Sequence, residues 1–205
     1  MKKTAGNKTF IRCVMKTPGF RFLLVADKIG VYMIFVILGT QKFQMNRLIK
    51  YIDSLVAAGR IDTPVIAQIG QSDYEPVNYQ FHRFLDKAEF DKLVTEAELI
   101  VTHGGVNSII TALRCGKPVI VCPRLEKYGE HVDDHQREIA RSFAKKGFVL
   151  CCDDDDDLEE QISLCKVTEF REYVSTNSDI TSIINDYLAG LERFSRRDYS
   201  HDSIR

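Results

Sequence analysis

The 205-residue sequence lacks an apolar run long enough to cross a membrane. The apolar stretch from Val31 to Leu38 spans eight residues, whereas a transmembrane helix needs about 20. Asp27 and Lys28 interrupt any longer run upstream, and no secretory signal with a small-residue cleavage site is visible. We therefore expect a chain that does not span a membrane.

The six cysteines also lack the CxxC spacing that is typical of zinc and redox sites. Cys115 and Cys122 lie in apolar surroundings, where a cysteine usually behaves as a small buried hydrophobic residue. A reduced, cytosolic protein is therefore expected rather than a disulfide framework or a zinc site. The net charge of −1 is small, and no nucleic-acid partner is expected.

A dinucleotide-binding fingerprint is missing as well. The turn after the first buried strand reads Gly39-Thr-Gln-Lys-Phe-Gln44, which is not GxGxxG, and no ribose-binding acid follows the second strand. This argues against a nicotinamide-dependent dehydrogenase.

Charge is distributed unevenly along the chain. Residues 1–32 hold seven Lys or Arg and one acid, Asp27, so they form a basic N-terminal extension unlike the remainder. One interpretation is an extension translated from an upstream start codon, with Met33 as the functional start. The alternative is a basic arm for acidic membrane surfaces.

From Met33 onward, buried strands alternate with helices, and glycine turns follow two of the strands. Strands are predicted at 34–38, 63–69, 79–85, 99–102, 118–122 and 148–152, and helices at 44–58, 86–97, 107–115 and 133–146, with a last helical stretch opening at 153–157. Such alternation predicts an α/β fold with a Rossmann-like parallel sheet. The predicted domain covers 33–190, and 191–205 is a polar C-terminal tail.

The strongest motif runs from Thr102 to Gln136. Gly104 and Gly105 follow a strand and precede a helix, where a ligand phosphate can approach the backbone amides and the helix dipole favours anions. Asn107 or Ser108 can cap that helix and also contact the phosphate. The alternative interpretation is that the glycines only close a tight turn.

Several polar residues near this motif have two interpretations each. His103 is either a structural hydrogen bonder or a group that orients or neutralises a diphosphate. Glu130 and His131 either contact substrate or belong to an ordinary loop. Asp133 is favoured as a helix cap, whereas Asp134 and Gln136 are favoured as sugar contacts. The five acids Asp153 to Asp157 indicate a solvated helix start rather than a magnesium site, because Mg²⁺ needs convergent oxygens. No metal site and no cofactor are expected.

The ordered set HGG, NS, GKP, PR and DDHQ resembles the donor-binding C-terminal half of glycosyltransferase family 28. Within that family it resembles the small single-half subunits of the eukaryotic dolichol-linked UDP-N-acetylglucosamine transferase and of bacterial exopolysaccharide glycosyltransferases. The resemblance covers Met33 to about Leu188. It implies one half of a GT-B glycosyltransferase, a UDP-sugar donor, and a separate membrane-anchored partner subunit that binds a lipid-linked acceptor.

The resemblance also implies a set of donor-binding residues. These are Gly39, Thr40, Gln41, His103, Gly104, Gly105, Asn107, Ser108, Thr111, Arg124, Asp134, His135 and Gln136. Thr111 is a departure, because many related sites have a glutamate there to hold the ribose. His103 and Glu130 are the candidates for a general base, although the base could also come from the partner.

The sequence therefore predicts a subunit of a split hexosyltransferase at the cytoplasmic face of a membrane. Two alternatives remain: a non-catalytic nucleotide-sugar-binding subunit and a nucleotide-sugar epimerase. The epimerase is disfavoured because such enzymes have both halves in one chain.

Overall fold

The computed structural model describes residues 33–154 and 156–174. Both the predicted basic extension, 1–32, and the predicted polar tail, 191–205, lie outside these residues. The described part forms one sheet of six parallel strands. The strands are β1 (Ile34–Ile37), β2 (Val65–Gln68), β3 (Gln80–His82), β4 (Leu99–Thr102), β5 (Val119–Val121) and β6 (Leu150–Cys151).

Helices cover both faces of the sheet, and every connection between successive strands contains a helix except the one from β2 to β3. They are α1 (Asn46–Ala57), α2 (Lys87–Glu96), α3 (Val106–Arg114), α4 (His135–Lys145) and α5 (Leu158–Cys165), with a 3₁₀ turn at Glu126–Tyr128. Among the described residues, no helix has both the length and the apolar character needed to cross a bilayer.

The sheet has a topological switch between β1 and β4. The strand order is β3-β2-β1-β4-β5-β6, so the chain winds outward in one direction from β1 and in the other from β4. Ile37 pairs with Gln68 on one side and with Thr102 on the other. Ligands of such sheets bind beyond the carboxyl ends of the strands at this switch.

Alternating side chains of β1 pack in two apolar clusters, one on each face of the sheet. Ile34 and Val36 pack in the cluster that includes α1, whereas Phe35 and Ile37 pack in the cluster that includes α3 and α4. A strand buried on both faces reads as a continuous apolar run, as the sequence does here. The predicted Rossmann-like α/β fold is confirmed.

Several helix boundaries differ from the prediction by one or two residues. The first helix begins at Asn46 rather than Gln44, and α4 begins at His135 rather than Asp133. The last helix begins at Leu158, and Asp157 caps it by accepting a hydrogen bond from the Glu159 amide at 2.9 Å. Asp153, in the same acidic run, pairs with Arg137 and Arg141.

Candidate functional site

A cavity of about 310 Å³ lies at the carboxyl ends of β1 and β4. We call it the edge cavity. It is lined by Gly39, Thr40, Gln41, His103, Gly104, Gly105, Val106, Asn107, Ser108, His135, Gln136 and Ile139. The structure thus brings together, at the topological switch, ten of the residues that the sequence predicted to bind a donor. Their roles stay predictions.

The side chain of His103 lines the edge cavity between the two glycine turns. It is buried, and Nδ1 lies 3.2 Å from the carbonyl oxygen of Ile37. A carbonyl can only accept, so Nδ1 must hold the proton and Nε2 is the unprotonated nitrogen. Burial, with a further contribution from the nearby Arg124 guanidinium, lowers the pKa of His103 to about 4. The imidazole is therefore neutral near pH 7 and does not neutralise an anion in the free protein.

Both flanking glycines pack directly against the His103 ring. A Cβ on Gly105 would lie 2.4 Å from Nε2, and one on Gly39 would lie 2.8 Å from Cε1. Gly39 also has a φ of +70°, which disfavours any residue with a side chain. The glycines of the two turns are thus required by packing around a histidine, whether or not a ligand approaches them.

The amino end of α3 points into the edge cavity. Gly105 is the N-cap residue, and no side chain caps the helix. The prediction that Asn107 or Ser108 caps α3 is therefore wrong: both lie inside the first turn, and neither side chain forms a cap hydrogen bond. The first amides of a helix have no intrahelical acceptor, so the amides of Val106 and Asn107 are available to an anion.

Gln136 closes the opposite side of the cavity. Its Oε1 accepts hydrogen bonds from the amides of Gly104 at 3.1 Å and Arg124 at 3.3 Å. The absence of a side chain at Gly104 permits this approach, because a Cβ there would lie 2.6 Å from Cβ of Gln136. Only the Nε2 group of Gln136 can serve a ligand without breaking these bonds.

Arg124 does not line the edge cavity, although the sequence predicted it as a donor contact. Its side chain is 1% exposed and donates to the carbonyl oxygens of Leu38 at 2.7 Å and Phe43 at 3.0 Å. Burial lowers the pKa of Arg124 to about 10, so the guanidinium stays charged near pH 7. In this structure Arg124 holds the loop after β1 in place.

Glu130, the second candidate base, is also engaged in the protein interior. Its side chain is 3% exposed, and its two carboxylate oxygens accept hydrogen bonds from Arg47 at 3.2 and 3.0 Å. It also accepts from the Leu125 amide at 3.3 Å. A carboxylate paired in this way is a structural link rather than a free base.

Thr111 and Asp134 likewise lie outside the lining of the cavity. The Thr111 hydroxyl donates to the carbonyl oxygen of Asn107 at 2.8 Å, within α3. Asp134 accepts from the Glu126 amide at 2.8 Å and pairs with Arg137 at 3.3 Å. The prediction that Asp133 caps α4 is wrong by one residue, because Asp134 occupies the N-cap position; Asp133 precedes it and accepts from the His135 amide at 3.2 Å.

Two lining residues were not singled out in the sequence. Val106 adjoins the glycine turn, and Ile139 lies one turn beyond Gln136 on the same face of α4. Helical spacing from Gln136 would have indicated Ile139.

Comparison of the sequence with known protein families identifies one family. The sequence model for the glycosyltransferase family 28 C-terminal domain matches residues 33–185. The chain belongs to this family. The predicted family is thereby confirmed.

Similar proteins include subunits of a UDP-N-acetylglucosamine transferase. The chain is 34% identical over 109 residues to the UDP-N-acetylglucosamine transferase subunit ALG13 of Cryptococcus neoformans, which covers 51% of this chain and 52% of the relative. It is 38% identical over 56 residues to ALG13 of Saccharomyces cerevisiae, covering 27% of this chain and 26% of the relative. The chain thus spans from about a quarter to about half of the length of these relatives. These matches support the resemblance to the small-subunit type.

Solved structures show the same architecture. The crystal structure of the glycotransferase of kitacinnamycin aligns with a TM-score of 0.51 and 21% identity, over 84% of this chain and 41% of that one. That likeness concerns the fold alone.

Proposed function

We propose that the chain is the donor-binding subunit of a split hexosyltransferase. In this proposal it binds a UDP-sugar in the edge cavity and transfers the hexose to a lipid-linked acceptor held by a membrane-anchored partner. The observation that carries the proposal is the amino end of α3, whose first amides face a cavity at the topological switch of the sheet. Membership of the family 28 C-terminal domain supports it.

The donor diphosphate would lie against the amides of Val106 and Asn107. Hydrogen bonds and the helix dipole at this end favour negative charge. Charge grows on the departing UDP as the glycosidic bond breaks, so the same groups would stabilise the transition state. The side chains of His135 and Gln136 would face the sugar from α4.

Neither predicted base in this chain is well suited to accept a proton from the acceptor. The pKa of His103 is lowered to about 4, so its imidazole binds a proton only weakly, and Glu130 is paired with Arg47. We therefore infer that the acceptor hydroxyl is activated by a group outside the described residues, and the partner is the natural source. The same observation keeps a binding-only subunit as the second candidate function.

The partner is inferred from the names of the relatives. The described residues form one sheet domain, the kind of unit that makes up half of a GT-B enzyme. The similar ALG13 proteins are named as subunits of a transferase. Through such a partner the chain would lie peripherally at the cytoplasmic face of a membrane. UDP-N-acetylglucosamine, which appears in the relatives' names, is the first donor to test.

The diphosphate contact is tested by Asn107→Asp, which changes charge but hardly changes shape. Asn107 is exposed in the first turn of α3, where an acid stabilises the helix by about 0.3–1 kcal/mol. The folded protein should therefore be at least as stable as the wild type. Repulsion between the new carboxylate and the diphosphate should weaken UDP binding at least about tenfold in isothermal titration calorimetry.

Gln80→Glu is the matched control, because it makes the same change at an exposed position on β3, at the far edge of the sheet. Its UDP affinity should equal that of the wild type. Equal affinities of the Asn107→Asp and Gln80→Glu variants would refute the diphosphate assignment.

Catalysis by a pair is tested by sugar transfer from labelled UDP-N-acetylglucosamine into the lipid fraction of native membranes. Transfer is expected when the chain and membranes are combined and not with either alone. Transfer by the chain alone to a soluble acceptor would contradict a split enzyme. Undiminished transfer by membranes stripped of the chain would favour the binding-only alternative.

A further inference from the structure

Two histidines and an aspartate converge in the segment that leads into α4. One ligating atom from each of His131, Asp133 and His135 lies within 4.8 Å of the other two. The donor-binding prediction used only His135 of this cluster, and neither the donor site nor the helix cap needs all three.

His131 is the unusual member of the cluster. Its side chain is only 8% exposed, and its Nδ1 has no hydrogen-bond partner. The ring is held between Phe43, at 4.8 Å between centroids, and His135, at 4.5 Å. A buried nitrogen without a partner costs free energy, so a ligand at this nitrogen would remove an existing penalty.

The Nδ1 atom of His131 lies close to Asp133. It lies 3.3 Å from Oδ1 of that carboxylate, without hydrogen-bond geometry. Two ligand atoms on a tetrahedral zinc ion, each about 2.0–2.2 Å from the metal, lie about 3.4 Å apart. Asp133 Oδ1 also contacts Nδ1 of His135 through a short hydrogen bond, and a metal ion would replace the shared proton.

We propose that His131, Asp133 and His135 bind a divalent transition-metal ion of the zinc type. Two imidazoles and one carboxylate are a ligand set that such ions accept, whereas Mg²⁺ prefers oxygen ligands and water. The sequence predicted no metal site because it considered the linear run of acids after β6, not these imidazoles. The three ligands lie in the loop between the 3₁₀ turn and α4 and at the first residue of α4.

The position of the ion follows from His135, which also lines the edge cavity. Three protein ligands leave a coordination position open. That position would be filled by water in the free protein and by a diphosphate oxygen when a nucleotide is bound. This last point rests on the proposed function, whereas the metal site itself does not.

Cobalt titration of the full chain tests the site, since Co²⁺ substitutes for Zn²⁺ and is coloured. We expect one Co²⁺ per chain, with visible d–d bands stronger than those of aqueous Co²⁺ and without the near-ultraviolet charge-transfer absorption of thiolate ligation, which separates this site from the cysteines. Asp133→Asn keeps the acceptor for the His135 amide but removes the ligand charge. It should weaken Co²⁺ binding at least about tenfold.

Two further variants keep the test independent of folding. His131→Phe retains a ring against Phe43 and removes the Nδ1 ligand, so it should weaken binding similarly. Asp134→Asn removes a charge from the neighbouring residue, which lies outside the cluster, and should bind Co²⁺ like the wild type. Saturating Co²⁺ should raise the melting temperature of the wild type and of Asp134→Asn but not of Asp133→Asn.

Any of three results would overturn the metal site. The first is the absence of saturable Co²⁺ binding to the wild type. The second is equal affinity of the Asp133→Asn and Asp134→Asn variants. Displacement of Co²⁺ by millimolar Mg²⁺ would also contradict the proposed ligand set. If UDP binds the chain but leaves its Co²⁺ affinity unchanged, the diphosphate contact is refuted while the metal site stands.

Discussion

Packing around the His103 side chain accounts for the glycines of the two turns without any ligand. Its ring fills the space between Gly39 and Gly105, and its Nδ1–H group is held by the Ile37 carbonyl. The Thr102 hydroxyl donates to the same carbonyl at 2.9 Å. The short motif after β4 is thus a packing unit as well as the start of a helix, which is why its glycines alone could not decide between the two interpretations.

The lowered pKa of His103 predicts a pH dependence of stability. The unfolded chain takes up the proton near pH 6.5, whereas the folded protein resists it until about pH 4. The contribution of this group is therefore complete above pH 6.5 and is lost as the pH falls towards 4, at about 1.4 kcal/mol per pH unit. His103→Asn, which keeps a donor to Ile37, should flatten the free energy of unfolding in that window. Parallel pH profiles of the two proteins would show that His103 is not buried as a neutral base.

The substitution Gly105→Ala should destabilise the protein through a steric contact and not through backbone strain. The φ of Gly105 is −73°, which any residue adopts, so the cost comes from the approach of Cβ to His103. Overpacking of this kind costs about 1–3 kcal/mol of unfolding free energy. In a His103→Asn background the smaller side chain should reduce that cost. Full additivity of the two substitutions in urea unfolding would contradict the contact.

At the scale of elements, one ion pair joins α1 to the loop after β5. Arg47 reaches Glu130 and also donates to the Pro123 carbonyl at 3.3 Å. Arg124, from the same loop, reaches back to Leu38 and Phe43 after β1. The segments on both sides of the edge cavity are therefore fastened by two arginines that do not line it.

A double-mutant cycle tests the first of these links. Removing the charge of Glu130 leaves Arg47 partly buried without its partner, so Glu130→Gln should lower the free energy of unfolding by about 1–3 kcal/mol. In an Arg47→Met background the same substitution should cost much less. The exposed pair Lys87–Asp91 is the control, and its coupling should stay within about 0.5 kcal/mol. Equal coupling energies for the two pairs would remove the structural role of Glu130.

The sequence predicted the elements better than the contacts between them. The apolar runs that end in glycine turns, such as the one at Gly39, predicted β1 and β4. The spacing of apolar residues and the residue types of a turn are local signals, which a sequence shows directly. The N-cap of α3 was assigned wrongly, since Asn107 and Ser108 are capping types but Gly105 occupies the position. The interior roles of Arg124 and Glu130 depend on partners far away in the sequence, so no local pattern could reveal them.

At the scale of the whole molecule, the edge cavity is built entirely from residues 39 to 139. The family match begins at residue 33, and Met33 is already tied to the residues before β4, because its carbonyl accepts from the Glu98 amide at 3.0 Å. A chain that starts at Met33 should therefore bind UDP with the affinity of the full chain. Titration calorimetry compares the two. A marked loss of affinity would show that residues 1–32 contribute to the site.

Two amides beside Gln136 are protected from solvent by its side chain. The N–H groups of Gly104 and Arg124 both end on Oε1 of Gln136, rather than on a strand or helix carbonyl. Amide protons exchange with deuterium only when such bonds open. These two amides, 20 residues apart in the sequence, should therefore exchange in step whenever the carboxamide rotates. Their shared exchange rate would therefore report how often the Gln136 carboxamide rotates. The rate can be measured by hydrogen–deuterium exchange in the free subunit and again with a nucleotide-sugar bound.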